Sequence, residues 1–489
     1  MSLARNPVMA HRSAGVLAHL SSLAGPCAIG DLGDCAFEFV QWCAAAGLSW
    51  WQMLPVGPIG PGDSPYASTS SFAGEPLFLS LERLRDEGLL STRDVRESAR
   101  AAARFSRGTM TSRIGSRSSS AKTNYDAARR AKEPAFLRAF ESFRADGGFE
   151  SARYAAFAQR EKYWLAGWRT YLNDALGYHA FLQFAFDAQF TTLRDHAIAH
   201  NVKLLGDLPI FVSLESADVA EHPELFRLDR LGRPEVLTGV PPDCFSKDGQ
   251  LWGHPHYRWS AHRADGFRWW TQRIAASLRR FHGVRIDHFV GFHHAYEIPS
   301  GAKTARTGAW KPQAGEELLA AARKKLGPLA LIAEDLGAVT HEVVALRTRF
   351  DLPGMKVLHH AFGCDNSGEL LHRHEVQSVV YPGTHDNDTT RGWFQALSPS
   401  ERTRFVAYCG ADSARAPHEA MMRLAFASRA QLAVVALQDV LGLDRSARMN
   451  LPGRGQGQWR WRLPSDWRTH CTKCAKSVQR LAAITGRIR

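Results

Sequence analysis

The chain has 489 residues, 45% of them hydrophobic, with a formal net charge of +13. Length and apolar share suit one large globular core with insertions and exclude a disordered or collagen-like chain. The basic excess runs from Arg93 to Arg489 as scattered arginine without a zinc-finger, RNP or helix-turn-helix signature, so a solvated surface is expected rather than a nucleic-acid footprint.

Between Met1 and Leu20, the residues Arg5, His11, Arg12 and His19 interrupt any signal-length apolar run. No window approaches a membrane span, and a cytoplasmic protein with no membrane partner is expected. Eight cysteines stand at 27, 35, 43, 244, 364, 409, 471 and 474. Only Cys471 and Cys474 form a CxxC, and no second pair completes a zinc site, so reduced, incidental thiols are expected.

The predicted elements begin with a helix N-capped by Asp34, with Phe37, Val40 and Ala44 on one face and Gly47 as its stop. Ser49 to Val56 and Leu77 to Leu81 read as buried strands. Glu82 to Gly177 is too long for a simple connection. Within it, Arg104 to Lys122 reads as mobile, whereas Phe136, Phe140 and Tyr154 to Trp168 carry helical spacing. A helix near Phe181 to His200 leads into a strand from Val202 to Asp207. A second insertion, Ile210 to Asp265, is rich in prolines and aromatics. The stripe Trp270, Ile274, Leu278 and Phe281 precedes Gly283 and a strand ending at Asp287. Glu316 to Leu326 is helical, Gly327-Pro328 breaks it, and Leu329 to Ala333 follows as a strand. Met355 to Leu358, Ser378 to Tyr381 and Leu432 to Val440 complete eight strands.

Helices alternating with short continuous apolar strands predict a parallel sheet. A doubly wound sheet would need a glycine-rich phosphate loop, and none follows the first strand. The fold class is therefore α/β, a closed (β/α)8 TIM barrel spanning residues 1–489 as a single catalytic unit. Large, mainly helical insertions are expected, with a helical subdomain at 82–177, a second insertion at 210–265, and no separate C-terminal β-sandwich domain.

Three predicted strand ends carry acids: Arg285-Ile286-Asp287-His288, Ala333-Glu334-Asp335-Leu336-Gly337 and Thr384-His385-Asp386-Asn387-Asp388. The C-terminal mouth of a barrel is where such side chains converge. Residues two apart on a strand share a face, so Arg285 and Asp287 project together, and the guanidinium is expected to keep Asp287 ionised as a nucleophile. Glu334, one strand on, is placed to protonate a leaving oxygen, in a retaining pair about 5–5.5 Å apart. Asp386 and His385 would hold sugar hydroxyls. Each motif has a plainer reading. Arg-x-Asp serves as a structural ion pair, Asp335 as a helix cap, and the segment around Asp386 as a calcium ligand set, although it lacks the glycine and alternation of a calcium loop.

The chain resembles the amylomaltases, 4-α-glucanotransferases of glycoside hydrolase family 77, almost from end to end. The resemblance rests on Gly15-Val16-Leu17, Ile29-Gly30-Asp31-Leu32-Gly33, Trp51-Gln52, Asp63-Ser64-Pro65-Tyr66 and Phe72-Ala73-Gly74. It continues through Gly206-Asp207-Leu208-Pro209, Pro241-Pro242-Asp243, Phe245-Ser246 and Gly249-Gln250-Leu251-Trp252-Gly253. Beyond them stand the three acidic segments, Leu352-Pro353-Gly354-Met355-Lys356, Gln438-Asp439 and Met449-Asn450-Leu451-Pro452-Gly453.

The resemblance implies Asp287 as nucleophile, Glu334 as acid/base and Asp386 as transition-state stabiliser. It implies Arg285, His385, Asp207, Tyr66 and Ser64 around the cleaved sugar, Phe245 and Trp252 over the acceptor side, and Asn450 on acceptor hydroxyls. Maltooligosaccharides and α-1,4-glucans are the implied partners, with no metal or cofactor required. An amylase-like hydrolase and a catalytically silent glucan-binding protein remain as alternatives. Family residues are replaced at Cys244, His254, Val290, Pro61 and Leu371 to His374.

Overall fold

A computed structural model describes residues 6–106, 121–242, 246–363 and 368–488. Eight strands form one sheet: β1 (Ser13–Leu17), β2 (Trp50–Gln52), β3 (Lys203–Leu208), β4 (Gly283–Ile286), β5 (Leu331–Ala333), β6 (Gly354–Val357), β7 (Ser378–Tyr381) and β8 (Leu432–Ala436). Their spatial order, β5-β4-β3-β2-β1-β8-β7-β6, is the chain order wrapped into a ring, and every pairing is parallel. At the seam, the Ala333 N–H donates to the Pro353 carbonyl at 2.9 Å. Asp335 Oδ1 accepts from the Met355 N–H at 2.7 Å. The sheet is thereby a nearly closed barrel.

One strand lies elsewhere than predicted. Leu77 to Leu81 is not in the sheet. Pro76 opens a 3-10 turn, Pro76–Phe78, and Ser80 caps a helix, Leu81–Asp86. The reason is where its backbone groups go. Buried Lys132 Nζ donates to the Leu77 and Leu79 carbonyls at 2.9 and 2.7 Å, and Gln189 takes both backbone groups of Ser80. Backbone served by side chains has nothing left for a ladder. The strand that was not predicted is β1, which opens on Ser13, Ala14 and Gly15 rather than on a run of large apolar residues. Its glycine is required by proximity, because a Cβ on Gly15 would lie 2.7 Å from that of Trp50.

Helix boundaries shift by a residue or two. Gly33, not Asp34, is the N-cap of Asp34–Ala45, and Asp34 lies in its first turn, where an acid favours the helix dipole. The end of β8 is shorter than expected, since Leu437–Val440 turns into a helix.

Residues 82–177 contain the helices Thr92–Phe105, Tyr125–Ala145 and Ala152–Tyr171. Most of Arg104 to Lys122 lies outside the described residues. The stretch 210–265 supplies two strands, Val236–Val240 and Gln250–Pro255, to an antiparallel sheet completed by His294–Pro299 and Ala309–Pro312. This small sheet stands after β3 and β4, on the side of the mouth where the acids gather. The C-terminal helix Trp467–Ile484 packs on Asp34–Ala45, with the Trp42 indole donating to the Cys471 carbonyl at 2.9 Å. Burial pushes the Cys471 thiol up to about 12, which leaves it protonated and unreactive. Among the described residues, no helix is long and apolar enough to cross a membrane.

Candidate active site

The register of β3 and β4 places Asp207 opposite Arg285. Arg285 Nη1 lies 2.8 Å from both Asp207 oxygens and 2.9 Å from Asp287 Oδ1. Asp287 follows the last residue of β4, and its N–H still pairs with the Leu208 carbonyl at 3.0 Å. Directly after β5, the Glu334 N–H donates to the Ile286 carbonyl at 3.1 Å, which sets Glu334 beside Asp287 on the neighbouring strand end. The His288 N–H donates to Glu334 Oε2 at 2.6 Å.

The third acidic segment is shaped by its own side chains. Asn387 Oδ1 accepts from the Thr384 N–H and hydroxyl at 2.8 and 3.0 Å. Asn450 Nδ2 donates to Asp386 Oδ1 at 2.6 Å, and Arg448 Nη2 donates to the Asp386 carbonyl at 2.7 Å. The Tyr66 hydroxyl donates to Asp207 Oδ2 at 2.6 Å. It therefore has only a lone pair for His385 Nε2, 2.8 Å away, so the His385 proton sits on Nε2. Burial lowers the His385 pKa, which keeps the ring neutral in that tautomer. Nε2 also lies 3.3 Å from Asp386 Oδ2. The rings of Tyr66, His385 and Trp459 make one wall, with Tyr66 and His385 stacked at 5.3 Å.

Three carboxyls, those of Asp207, Asp287 and Glu334, thus lie in the field of one guanidinium. Burial pushes Asp287 up to about 7 against the pull of Arg285, and the charges of Asp207 and Asp386 add to the rise. Burial thus outweighs one guanidinium whose closest contacts are shared with Asp207. Burial also carries Glu334 well above its usual range, opposed by Arg285 and reinforced by Asp287. Asp287 keeps 28% of its side chain open to the cleft, where water screens part of this penalty. Because Arg285 touches Asp287 directly, the charge of the pair belongs on Asp287 and the shared proton on Glu334.

The plainer readings divide. Asp335 is structural, paired with Arg347 at 2.8 Å and with the Met355 N–H; it caps no helix, since Thr340 caps His341–Arg349. The calcium reading loses its ligands: Asp388 is held by Arg445 at 2.7 Å, Asp386 by Asn450, and Asn387 by Thr384. Among the described residues, no group of three metal-ligating side chains occurs.

The mouth brings together Asp207, Arg285, Asp287, Glu334, His385, Asp386, Tyr66 and Asn450. Ser64 acts one step back, its hydroxyl accepting the Tyr66 N–H at 3.2 Å and so setting the turn that presents the ring. Trp252 stands on the strand Gln250–Pro255, half-buried, with its ring edge-on to His288 at 4.9 Å. Phe245 and Cys244 lie outside the described residues. Sequence reasoning assigned no role to Arg448, Trp459 or His288. The first two sit in motifs it quoted or adjoined, and a signal for His288 was its place directly after an acid at a strand end.

A profile of the glycoside hydrolase 77 family, described as 4-alpha-glucanotransferase, matches residues 18–466. The 4-alpha-glucanotransferase of Synechocystis sp. is 40% identical over 495 residues, covering 93% of this chain and 94% of the relative. That of Thermus thermophilus is 39% identical, covering 92% and 95%. The amylomaltase from Streptococcus agalactiae, solved in complex with acarbose, superposes with a TM-score of 0.86 at 30% identity, over 98% of this chain and 100% of that one. The chain belongs to glycoside hydrolase family 77.

Several of the family's replaced positions have local explanations in this family 77 chain. Val290 is fully buried in the turn Phe289–Phe292. The His254 N–H donates to Thr238 Oγ1 at 3.1 Å, and burial lowers its imidazole to about 4, leaving a neutral ring. His374 is tied to Ser428 Oγ at 2.6 Å and to the Glu369 carbonyl at 2.9 Å.

Proposed function

We propose that this chain is a 4-α-glucanotransferase that transfers α-1,4-glucan segments from a donor maltooligosaccharide or starch-type glucan to an acceptor glucan or glucose by retaining double displacement. Asp287 attacks the anomeric carbon while Glu334 donates its proton to the departing oxygen. The glucosyl unit is then bonded to Asp287, and Glu334, now ionised, takes the proton of the incoming hydroxyl. Asp386, held by Asn450, and the bridge Asp207–Tyr66–His385 bind the hydroxyls of the reacting sugar and favour the positive charge that develops at its ring. The observation that carries this reading is the placement of Asp287 and Glu334 on adjacent strand ends, with Arg285 touching only the former of the two.

Transfer over hydrolysis follows from the small sheet beside the mouth. Trp252 walls the acceptor side, so the intermediate meets a positioned sugar more readily than water. In this reading the chain acts as one catalytic unit, with 82–177 as a helical insertion and 210–265 carrying the acceptor-side loop. We place the activity in the cytoplasm on the apolar pattern of the sequence, which fractionation of native cells would check. No metal or cofactor enters a step. Incubation with maltotriose tests the function: transfer yields a ladder of longer sugars plus glucose, whereas an amylase-like hydrolase yields only shorter ones. Products confined to glucose and maltose would overturn it.

A further inference from the structure

His288 has a positive φ of 51°, uncommon for a residue with a Cβ. Such conformations persist where the surroundings over-determine them, and they gather at functional sites. Here the surroundings are specific. The imidazole stands edge-on to Trp252 at 4.9 Å, and Phe211 lies 6.5 Å away. Gly291 leaves room beneath it, since a Cβ there would lie 3.1 Å from His288 Cδ2, and the Gly291 N–H closes the turn on the His288 carbonyl at 2.9 Å. His288 Nε2 is buried without a hydrogen-bond partner among the described residues, so the ring serves by packing. The result of the turn is that two successive N–H groups face Glu334: that of His288 meets Oε2 at 2.6 Å, and that of Phe289 meets the main-chain carbonyl at 3.0 Å.

We propose that His288 is a positioning residue for Glu334: its left-handed backbone aims an N–H at the carboxyl, and its ring, packed on Trp252, ties the acceptor-side sheet to the proton donor. This rests on Glu334 as the acid/base. An N–H on one oxygen fixes the carboxyl plane and leaves the other oxygen for the glycosidic bond. It also favours the ionised form, so its loss makes Glu334 hold its proton more tightly. The charged groups facing Glu334 are Arg285 on β4, Asp287 just after it and Asp335 in the turn after β5, and the ring of His288 faces His294. None of these changes when the backbone of residue 288 alone is altered.

The test separates backbone from ring. His288→Gly and His288→Asn lose the imidazole yet adopt positive φ readily, whereas His288→Val also loses the ring and disfavours that conformation. Each is assayed on maltotriose, whose leaving group needs a proton, and on α-maltotriosyl fluoride, whose leaving group does not. We expect His288→Val to lose about 10- to 100-fold in kcat/KM on maltotriose and much less in kcat/KM on the fluoride, since that constant reports formation of the glycosyl-enzyme, with the alkaline limb on maltotriose displaced to higher pH. The Gly and Asn variants should keep that limb in place. Equal behaviour of the Val and Gly variants, or equal loss of the Val variant on both substrates, would overturn the proposal. Should His288→Val not fold, His288→Ala provides the same contrast with Gly. Glu334→Gln is measured alongside by kcat/KM, which reports formation of the glycosyl-enzyme: sparing of the fluoride in that step supports the acid/base role, and equal loss on both substrates removes that role and the proposal with it.

Discussion

Arg285 divides one positive charge between Asp207 and Asp287, and this sharing sets the ionisation of the mouth. Asp207 raises the proton affinity of Asp287 by its own charge and by occupying Arg285. Asp207→Asn removes both effects, so Asp287 should ionise at lower pH. The acid limb of kcat/KM, which reports the ionised nucleophile in the free enzyme, should move down from near 7, even though kcat falls. A limb that stays or moves upward would show that Asp287 does not set it. Tyr66→Phe keeps the ring but removes the hydroxyl between Asp207 and His385, leaving Asp207 to Arg285 and His385 to Asp386 alone. A loss of about 10- to 100-fold in kcat/KM is expected, the size of a hydrogen bond to a charged group. Steady-state assay on maltotriose reads it, and a change below twofold would sink the bridge. Asp287→Asn should abolish transfer with an unchanged melting temperature; substantial activity in the purified variant would refute the nucleophile.

At the scale of elements, the small antiparallel sheet and the helix Tyr125–Ala145 play opposite parts. In the proposed reading, Trp252→Ala opens the acceptor side and removes the aromatic face on which an acceptor sugar stacks, a contact of about 0.5–1.5 kcal/mol that corresponds to a shift of about 2- to 10-fold. The ratio of transfer to hydrolysis should fall by that factor while the melting temperature holds. A large melting shift at an unchanged ratio would make Trp252 a core residue instead. Lys132, by contrast, is fully buried and pins its helix to Asp31 at 3.0 Å and to the carbonyls that keep Leu77 and Leu79 out of the sheet. Lys132→Met leaves Asp31 buried and unpaired, at a cost of about 3–5 kcal/mol. Thermal melting should show a large fall, with kcat of the folded enzyme little changed. A melting temperature within a degree of the parent would mean that water replaces the ammonium.

The whole molecule is closed by its far end. Arg487 is buried and donates to the carbonyls of Ser13 at 2.7 Å, Phe426 at 2.8 Å, and Ser428 and Ala430 at 3.0 Å each. Arg12 reaches Phe426, Ser428 and Ala430 as well. The two guanidiniums thus serve one set of carbonyls at the start of β1 and β8, and burial lowers Arg487 to about 9. Either Arg→Ala variant leaves the other to cover most of that set, so each should cost about 1–3 kcal/mol. The double variant should cost more than the sum, because it alone orphans the shared carbonyls. Denaturant titration of the four proteins checks this, and strict additivity would show that the two act apart.

Helix–glycine–strand grammar made seven of the eight barrel strands and the three acid-bearing ends legible, because those strands are continuous apolar runs closed by an abrupt polar stop. That pattern is local, and so the sequence by itself determined the parallel barrel and the acids at its strand ends, whereas Tyr66 and Asn450 were reached only through the family resemblance. Tertiary structure decided what is not local. Whether Leu77 to Leu81 or Ser13–Leu17 entered the sheet depended on Lys132 and Gln189, which lie more than fifty residues further along the chain and claim the backbone of the former. The ionisation of Asp287 depended on how Arg285 is shared and how deeply the cleft is buried, and the reach of His288 to Glu334 on a backbone angle. Hydrophobic periodicity carries none of these, since each is a contest between partners that only the folded chain brings within a few ångströms.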